Sequence, residues 1–272
     1  MDEKASESYA QQKACETCKE REKIMGRGSS GITTNGTGGG NLAKNPQLLS
    51  DEQAQALKQK YESDFDEATK KSIKKYISAE SFDNKSHSLS QTMNFLISRG
   101  ENLDSITAAE INAKYHLGLT QKDVVAMRKT NQNIDSAMHD LGVNAILERG
   151  AHAGQFGQMF GVTNYSNMSA EQLKSAFVGK AFSNTAVWST SYNTTKNPFL
   201  SSTSSVSGGR EVIYRIKAGA KTQCVFGAMN QAEIVLGKGT NFRVTNAAFT
   251  GKTAYPKSGG AIKQIVLDIE TF

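Results

Sequence analysis

The chain has 272 residues, 38% of them apolar, a formal net charge of +6 and an isoelectric point near 9.1. With a mean hydropathy of −0.48 it offers no apolar window of the roughly 18 residues that a membrane helix needs. The basic balance favours anionic ligands or partners without specifying nucleic acid, since no Lys/Arg cluster is interleaved with aromatics.

The opening residues, 1–24, are charged and could form a polar helix. They contain no apolar leader of the secretory type, which leaves other secretion systems or release by lysis as routes out of a cell, and a cytoplasmic location if neither operates. The three cysteines are Cys15, Cys18 and Cys224. An odd count without a leader argues against a disulfide scaffold. Cys15 and Cys18 form a CxxC with no second pair or nearby histidine to complete a zinc site. Two free thiols on a tail, a redox pair and half of an intermolecular site all fit, and no metal is expected. Residues 26–41 are dominated by glycine, serine, threonine and asparagine. They read as a flexible linker, because nothing there offsets the entropy of ordering. The folded part is expected from residue 46, with 1–45 as a glycine-rich tail and 46–272 as one domain.

From Ser50 the pattern is helical. Ser50 is placed to cap, with Asp51 and Glu52 in the first turn. Leu57, Tyr61, Phe65 and then Ile73, Tyr76, Ile77 recur at helical spacing, with a break at 64–66. Further helices are expected over 89–98, over 109–115 behind Thr107 or Ser105, and from Thr120 through Met138 to Leu141. After Gly142 the character changes. Short strand-like runs are expected at 145–150, 187–191, 211–217, 222–226, 233–236, 240–245 and 263–269, with a helix at 169–177 capped by Ser169. Helices first and short strands later indicate an α+β fold, a helical part over 46–141 and a β-rich core over 142–272. In an extended strand residues i and i+2 share a face, so Gln231 and Glu233 are expected to project together while Ala232 points into packing.

Three segments, taken in chain order, carry a resemblance. They are Ile146-Leu147-Glu148-Arg149-Gly150; Gly179-Lys180-Ala181-Phe182 leading to Ser189-Thr190-Ser191; and Gln231-Ala232-Glu233 with the strand that follows. Together they resemble the fingerprint of mono-ADP-ribosyltransferases of the bacterial exotoxin type, over about residues 50–272. The resemblance implies a mixed two-sheet β core around an NAD cleft, NAD as co-substrate and a protein as acceptor. It assigns Arg149 to the phosphates of NAD, Gly150 to the nicotinamide amide, and Ser189 to orienting the catalytic glutamate and the ribose. Glu233 matches that catalytic glutamate, an ionised group that stabilises positive charge on the ribose as the nicotinamide bond breaks.

Arginine-modifying relatives carry a Glu-x-Glu pair, whereas this chain has Gln231 at the first position. That is similar to exoenzymes acting on Rho-type GTPases, and it implies a non-arginine acceptor, with a small GTPase in a host cell as one partner of that kind. A glutamine offers a donor and an acceptor to another amide. The resemblance also gives Phe226, in the turn before this strand, to target recognition, with packing under the loop as the alternative. Residues 193–210 correspond to a loop over the dinucleotide, in which Arg210, Tyr192 or Phe199 is expected to touch NAD. Trp188 is expected in the core. NAD hydrolysis, a non-enzymatic virion or secreted binding module, and transfer onto nucleic acid remain the alternatives, and a monomer is expected.

Overall fold

Helix ends in this chain are written by hydroxyl and carboxylate caps. In a computed structural model, which describes residues 45–78, 82, 88–193, 195–196, 210–254 and 260–272, Ser50 opens α1 (Asp51–Glu62) and Asp66 opens α2 (Glu67–Ile77). Ser88 opens α3 (Leu89–Ser98), Thr107 opens α4 (Ala108–Tyr115) and Thr120 opens α5 (Gln121–Ala137). Each cap side chain accepts a backbone N–H of the first turn, a contact worth about 1 kcal/mol. The expected tail, the glycine-rich stretch, Cys15, Cys18 and Phe199 lie outside the described residues. All described residues belong to one compact unit.

Helix α5 stops short of the expected Leu141. Met138 turns to an extended conformation, and His139–Asp140 enters the sheet as strand β1, registered on Cys224 and Gln223. Two further helices follow β2 (Ala145–Ala151): α6 (Ala153–Phe160) and α7 (Ala170–Phe177), the second capped by Ser169. The remaining strands are β3 (Ala181–Ser183), β4 (Trp188–Ser191), β5 (Val212–Ala218), β6 (Gln223–Phe226), β7 (Glu233–Leu236), β8 (Asn241–Ala254) and β9 (Ile262–Thr271). Strand β8 runs well beyond the expected 240–245, because its pairing with β9 continues through two register shifts.

The strands stand in the order β1-β6-β7-β4-β2-β5-β9-β8-β3, with β5 and β9 parallel and every other neighbouring pair antiparallel. The expected two halves are joined at one registered pair, Glu148↔Ser191, between β2 and β4. By contrast β2 and β5 pair along seven residues, from Ala145↔Ala218 to Ala151↔Val212. The sheet therefore parts just beyond Glu148 and Ser191.

The half made of β6, β7 and β4 is covered on both faces. Ile234 and Leu236 of β7 belong to one core with Trp188, Phe226 and Phe242, while Val235 joins Ile73, Tyr76, Met93 and Met127 of the helical layer. Val187 and Val225 enter that second core as well. Burial of a valine contributes about 1.5–3 kcal/mol, against roughly 0–1 kcal/mol for an exposed ion pair. Apolar contact, rather than surface charge, seats the helices on the sheet. Strand alternation then puts Glu233 on the face of Val235, toward the helices.

Candidate active site

Where β2 and β4 part, Arg149 completes the hydrogen bonding that the ladder no longer supplies. Its Nη1 donates to the Ser189 carbonyl oxygen at 2.8 Å. The guanidinium lies over the ring of Trp188, 5.0 Å from its centroid. Trp188 is itself in the core, stacked on Phe242 at 5.1 Å. Burial lowers the Arg149 pKa, with the Tyr76 and Tyr214 phenols working against that shift. The result is a permanently charged fork with its orientation fixed on both a carbonyl and a ring.

Glu233 begins β7 and is 6% exposed. Its register partner on β4 is Ser191, and Ser189 is one step along the same face. The Ser189 hydroxyl is near both the Glu233 carboxylate and the Tyr76 phenol and favours the ionised form of each. Ala228 N–H donates to Glu233 Oε2 at 3.3 Å. Burial raises the Glu233 pKa, and the Ser189 hydroxyl, the Ala228 N–H, Lys58 and Arg149 partly counter it. The ionised state expected of Glu233 is therefore opposed by its surroundings: enclosure by the helical layer takes water away from the charged form. Gly227 provides the space for this carboxylate. A Cβ on Gly227 would lie 2.5 Å from Glu233 Oε2 and 2.7 Å from its Cγ.

Gln231 stands apart from the strand. It ends the short 3-10 turn Met229–Gln231, and Ala232 adopts a left-handed conformation with φ of 51°. The expected extended Gln-Ala-Glu run is therefore broken at Ala232, whose N–H closes on Met229 O at 3.1 Å. Ala232 is fully buried as expected. Gln231 is half-buried and lines a cavity of about 840 Å³ with Gly227, Ala228, Lys58 and Phe65, between α1 and α2.

Phe226 takes the second of its two expected places, packed in the interior. It is 0% exposed and its ring lies 6.0 Å from that of His139. The expectation of an exposed target anchor is corrected: β6 is sandwiched between two cores, so Val225 and Phe226 are both interior.

Gly150 and Arg210 are in contact. The Arg210 Cγ occupies the space next to Gly150, 2.5 Å from where a Cβ would be. The Arg210 guanidinium meets His152 Nε2, and His152 Nδ1 lies 3.1 Å from the buried Glu211 carboxylate, which also accepts Ala153 N–H at the start of α6. Tyr192 is buried and its hydroxyl donates to Asp51 at 3.1 Å.

Two site residues escaped the sequence reading. Tyr76 of α2 carries helical spacing that marks it as core, yet its phenol faces Arg149, Ser189 and Glu233. Asn94 of α3 donates to that phenol at 2.8 Å, and its Oδ1 is buried without a partner among the described residues. An asparagine on the inner side of an apolar helix face was the signal available for it. No group of three or more metal-ligating side chains occurs among the described residues, and none of their helices is long and apolar enough to cross a membrane.

The arrangement holds a buried carboxylate, a hydroxyl and a fixed guanidinium around the point where the sheet parts. That set can bind an anionic group and face positive charge developing on a neighbouring carbon. Comparison with solved structures agrees at the level of fold. An ADP-ribosyltransferase from Clostridium botulinum has 14% identity and a TM-score of 0.56, with 84% of this chain and 100% of that chain covered. An ADP-ribosyltransferase toxin from Paenibacillus larvae has 18% identity and a TM-score of 0.51, covering 82% and 96%. The C3 exoenzyme of Clostridium limosum has 15% identity and a TM-score of 0.52, covering 83% and 96%. No curated protein sequence matches the chain. The family model described as ADP-ribosyltransferase exoenzyme matches residues 51–270, and the chain belongs to that family of NAD-dependent ADP-ribosyltransferases.

Proposed function

We propose that the chain transfers ADP-ribose from NAD to a non-arginine side chain of a target protein, with a small GTPase as the leading class of target. The observation that carries this reading is the Glu233 carboxylate seated on Gly227 beside Ser189, with Gln231 rather than a second glutamate next to it. NAD supplies the ADP-ribose and a nicotinamide leaving group. Arg149 holds a phosphate, Ser189 orients Glu233, and Glu233 stabilises the positive charge that builds on the ribose. The fixed Arg149 fork suits an anionic ligand at this place. The Gly150 backbone is assigned to the nicotinamide amide, and Arg210, whose side chain fills the space beside Gly150, is assigned to the dinucleotide.

The acceptor side of the site is assigned to Gln231. An amide there can pair with an amide of the target through one donor and one acceptor, and it does not offer the charge that a guanidinium would seek. The cavity it lines, between α1 and α2, gives the target room beside Gly227 and Ala228, the two residues that touch the Glu233 carboxylate. Action inside another cell is part of the same reading, and the naming of the Paenibacillus larvae relative as a toxin supports it.

Incubation of a cell lysate with labelled NAD tests this, with wild type beside Glu233→Ala. Labelled protein with wild type alone, carrying ADP-ribose on a residue other than arginine by mass spectrometry, is the expected result. Free ADP-ribose without labelled protein makes the chain a hydrolase, and label removed by nuclease makes nucleic acid the acceptor. No NAD consumption removes all three readings.

A further inference from the structure

The last turn of α1 grips the backbone that carries Gly227. Glu62 Oε1 accepts the Phe226 N–H at 2.5 Å. Lys58 Nζ donates to Phe226 O at 2.9 Å and to Gly227 O at 3.3 Å. The two side chains pair with each other at 3.3 Å, and Glu62 is 7% exposed. His139 of β1 lies 3.3 Å from Glu62 Oε1, its ring stacked on Tyr61 at 4.9 Å.

We propose that Lys58 and Glu62 are positioning residues for Glu233, clamping the 226–227 backbone so that its carboxylate is held in place. The contacts form a continuous path. Gly227 N–H donates to Glu233 O at 2.9 Å, and Glu233 N–H donates to Ala228 O at 3.1 Å. A Cβ on Gly227 would run into the Glu233 carboxyl group. A shift of 226–228 away from α1 therefore moves both the floor under the carboxylate and the Ala228 N–H that it accepts.

Helix stability does not account for these two residues. A glutamate at the C-terminal end of a helix opposes the macrodipole, and lysine four residues before glutamate is the weaker order for a helical pair. A buried ion pair is in general weak evidence for stability. What Glu62 and Lys58 do satisfy is an N–H and two carbonyls of the segment that supports Glu233.

The charged and titratable groups facing Glu233 come from three elements: Lys58 of α1, Tyr76 of α2 and Arg149 of β2, with the Ser189 hydroxyl on β4. Lys58 and Arg149 favour its ionised form. Loss of the lysine charge consequently moves the acid limb of the rate profile to higher pH, an effect that mere weakening of the fold would not produce.

This inference rests on the NAD-cleaving chemistry of the site and not on the identity of the acceptor. The full chain is assayed for nicotinamide release from NAD, with Glu62→Gln, Glu62→Ala, Lys58→Met and Lys58→Arg compared with wild type. For Glu62→Ala and Lys58→Met a fall in kcat of about 10- to 100-fold is expected, the range for small misplacements of a catalytic group, with KM for NAD within about twofold. Lys58→Met raises the pH of the acid limb, and Lys58→Arg restores it. If Glu62→Ala does not fold by near-ultraviolet circular dichroism, Glu62→Gln decides: it keeps an acceptor for Phe226 N–H but loses the charge that holds Lys58 on the two carbonyls, so a kcat below wild type is still expected. Unchanged kcat and acid limb in folded variants overturn the proposal, as does a loss confined to KM. Nicotinamide release by wild type without labelled protein leaves it standing and removes only the acceptor reading.

Discussion

Glu233 lies on Gly227 so closely that the site has no room for a methyl group between them: a Cβ there would stand 2.5 Å from Oε2 and 2.8 Å from the carboxyl carbon. Since the floor is backbone held by α1, the carboxylate has to rotate or the loop has to lift. Gly227→Ala is therefore expected to lower kcat for nicotinamide release by about 100-fold with a small change in KM. Arg149, the residue assigned to the NAD phosphates, is on a different strand and stays in place. Near-wild-type turnover would show that the seat under Glu233 is dispensable.

The raised Glu233 pKa has a consequence for stability with a definite sign. A carboxyl whose folded-state pKa exceeds its unfolded value binds its proton more tightly when folded. The stability it contributes is complete below the ordinary value of 4.5 and is lost as pH rises through the higher folded one. Glu233→Gln removes that loss. Its melting temperature should match wild type at about pH 4 and exceed it increasingly toward neutrality, while kcat falls about 10²–10³-fold, the range for removing one electrostatic contact to a transition state. Melting curves over pH 4–8 check this. A variant less stable than wild type at pH 7 would mean that Glu233 is held in its charged form at no cost.

Tyr76 ties the helical layer to the chemistry from the other side. Its phenol accepts from Asn94 at 2.8 Å and is near the Ser189 hydroxyl. Tyr76→Phe removes one hydrogen-bonding oxygen and keeps the ring in its core position. Loss of a hydrogen bond of about 1 kcal/mol corresponds to roughly fivefold in rate. A kcat reduced by about that factor is expected, and pre-steady-state nicotinamide release measures it. A change in melting temperature alone, with kcat intact, would reduce Tyr76 to packing.

What the sequence made legible was mostly local. Ser50, Thr107, Thr120 and Ser169 mark helix starts because a cap needs only its own first turn. Arg149, Ser189 and Glu233 come together because each sits on a short strand with recognisable neighbours. The misses are all effects of tertiary context. Helix α6 has two glycines, Gly154 and Gly157, which lower its intrinsic propensity. It forms on the packing of Phe156 against Phe160, Tyr165 and Phe177 and on Glu211 at its start. Phe226 could not be placed by alternation, since both faces of β6 are covered. Ala232 gave no sign of a left-handed conformation, which usually costs a non-glycine residue about 1–2 kcal/mol. Its turn is imposed by hydrogen bonds from Ala232 N–H to Met229 O and from Tyr192 N–H to Ala232 O.

That turn decides how Gln231 is to be tested. Because Ala232 breaks the strand, Gln231 does not share a strand face with Glu233 and faces the cavity between α1 and α2 together with Asn230. A substitution there can change the acceptor side without moving the NAD side. Gln231→Glu keeps the size of the side chain and exchanges an amide donor for a charge. Transfer to the native target should fall by about 10-fold or more, the discrimination expected when a built hydrogen bond loses its partner. Nicotinamide release in water should change by less than about threefold, a residual effect of the added charge near Glu233. The two rates, measured on the same preparation with labelled NAD, give the answer as a ratio. Equal losses in both would place Gln231 with the bond-breaking group, and acceptor choice would then belong to other residues lining the cavity.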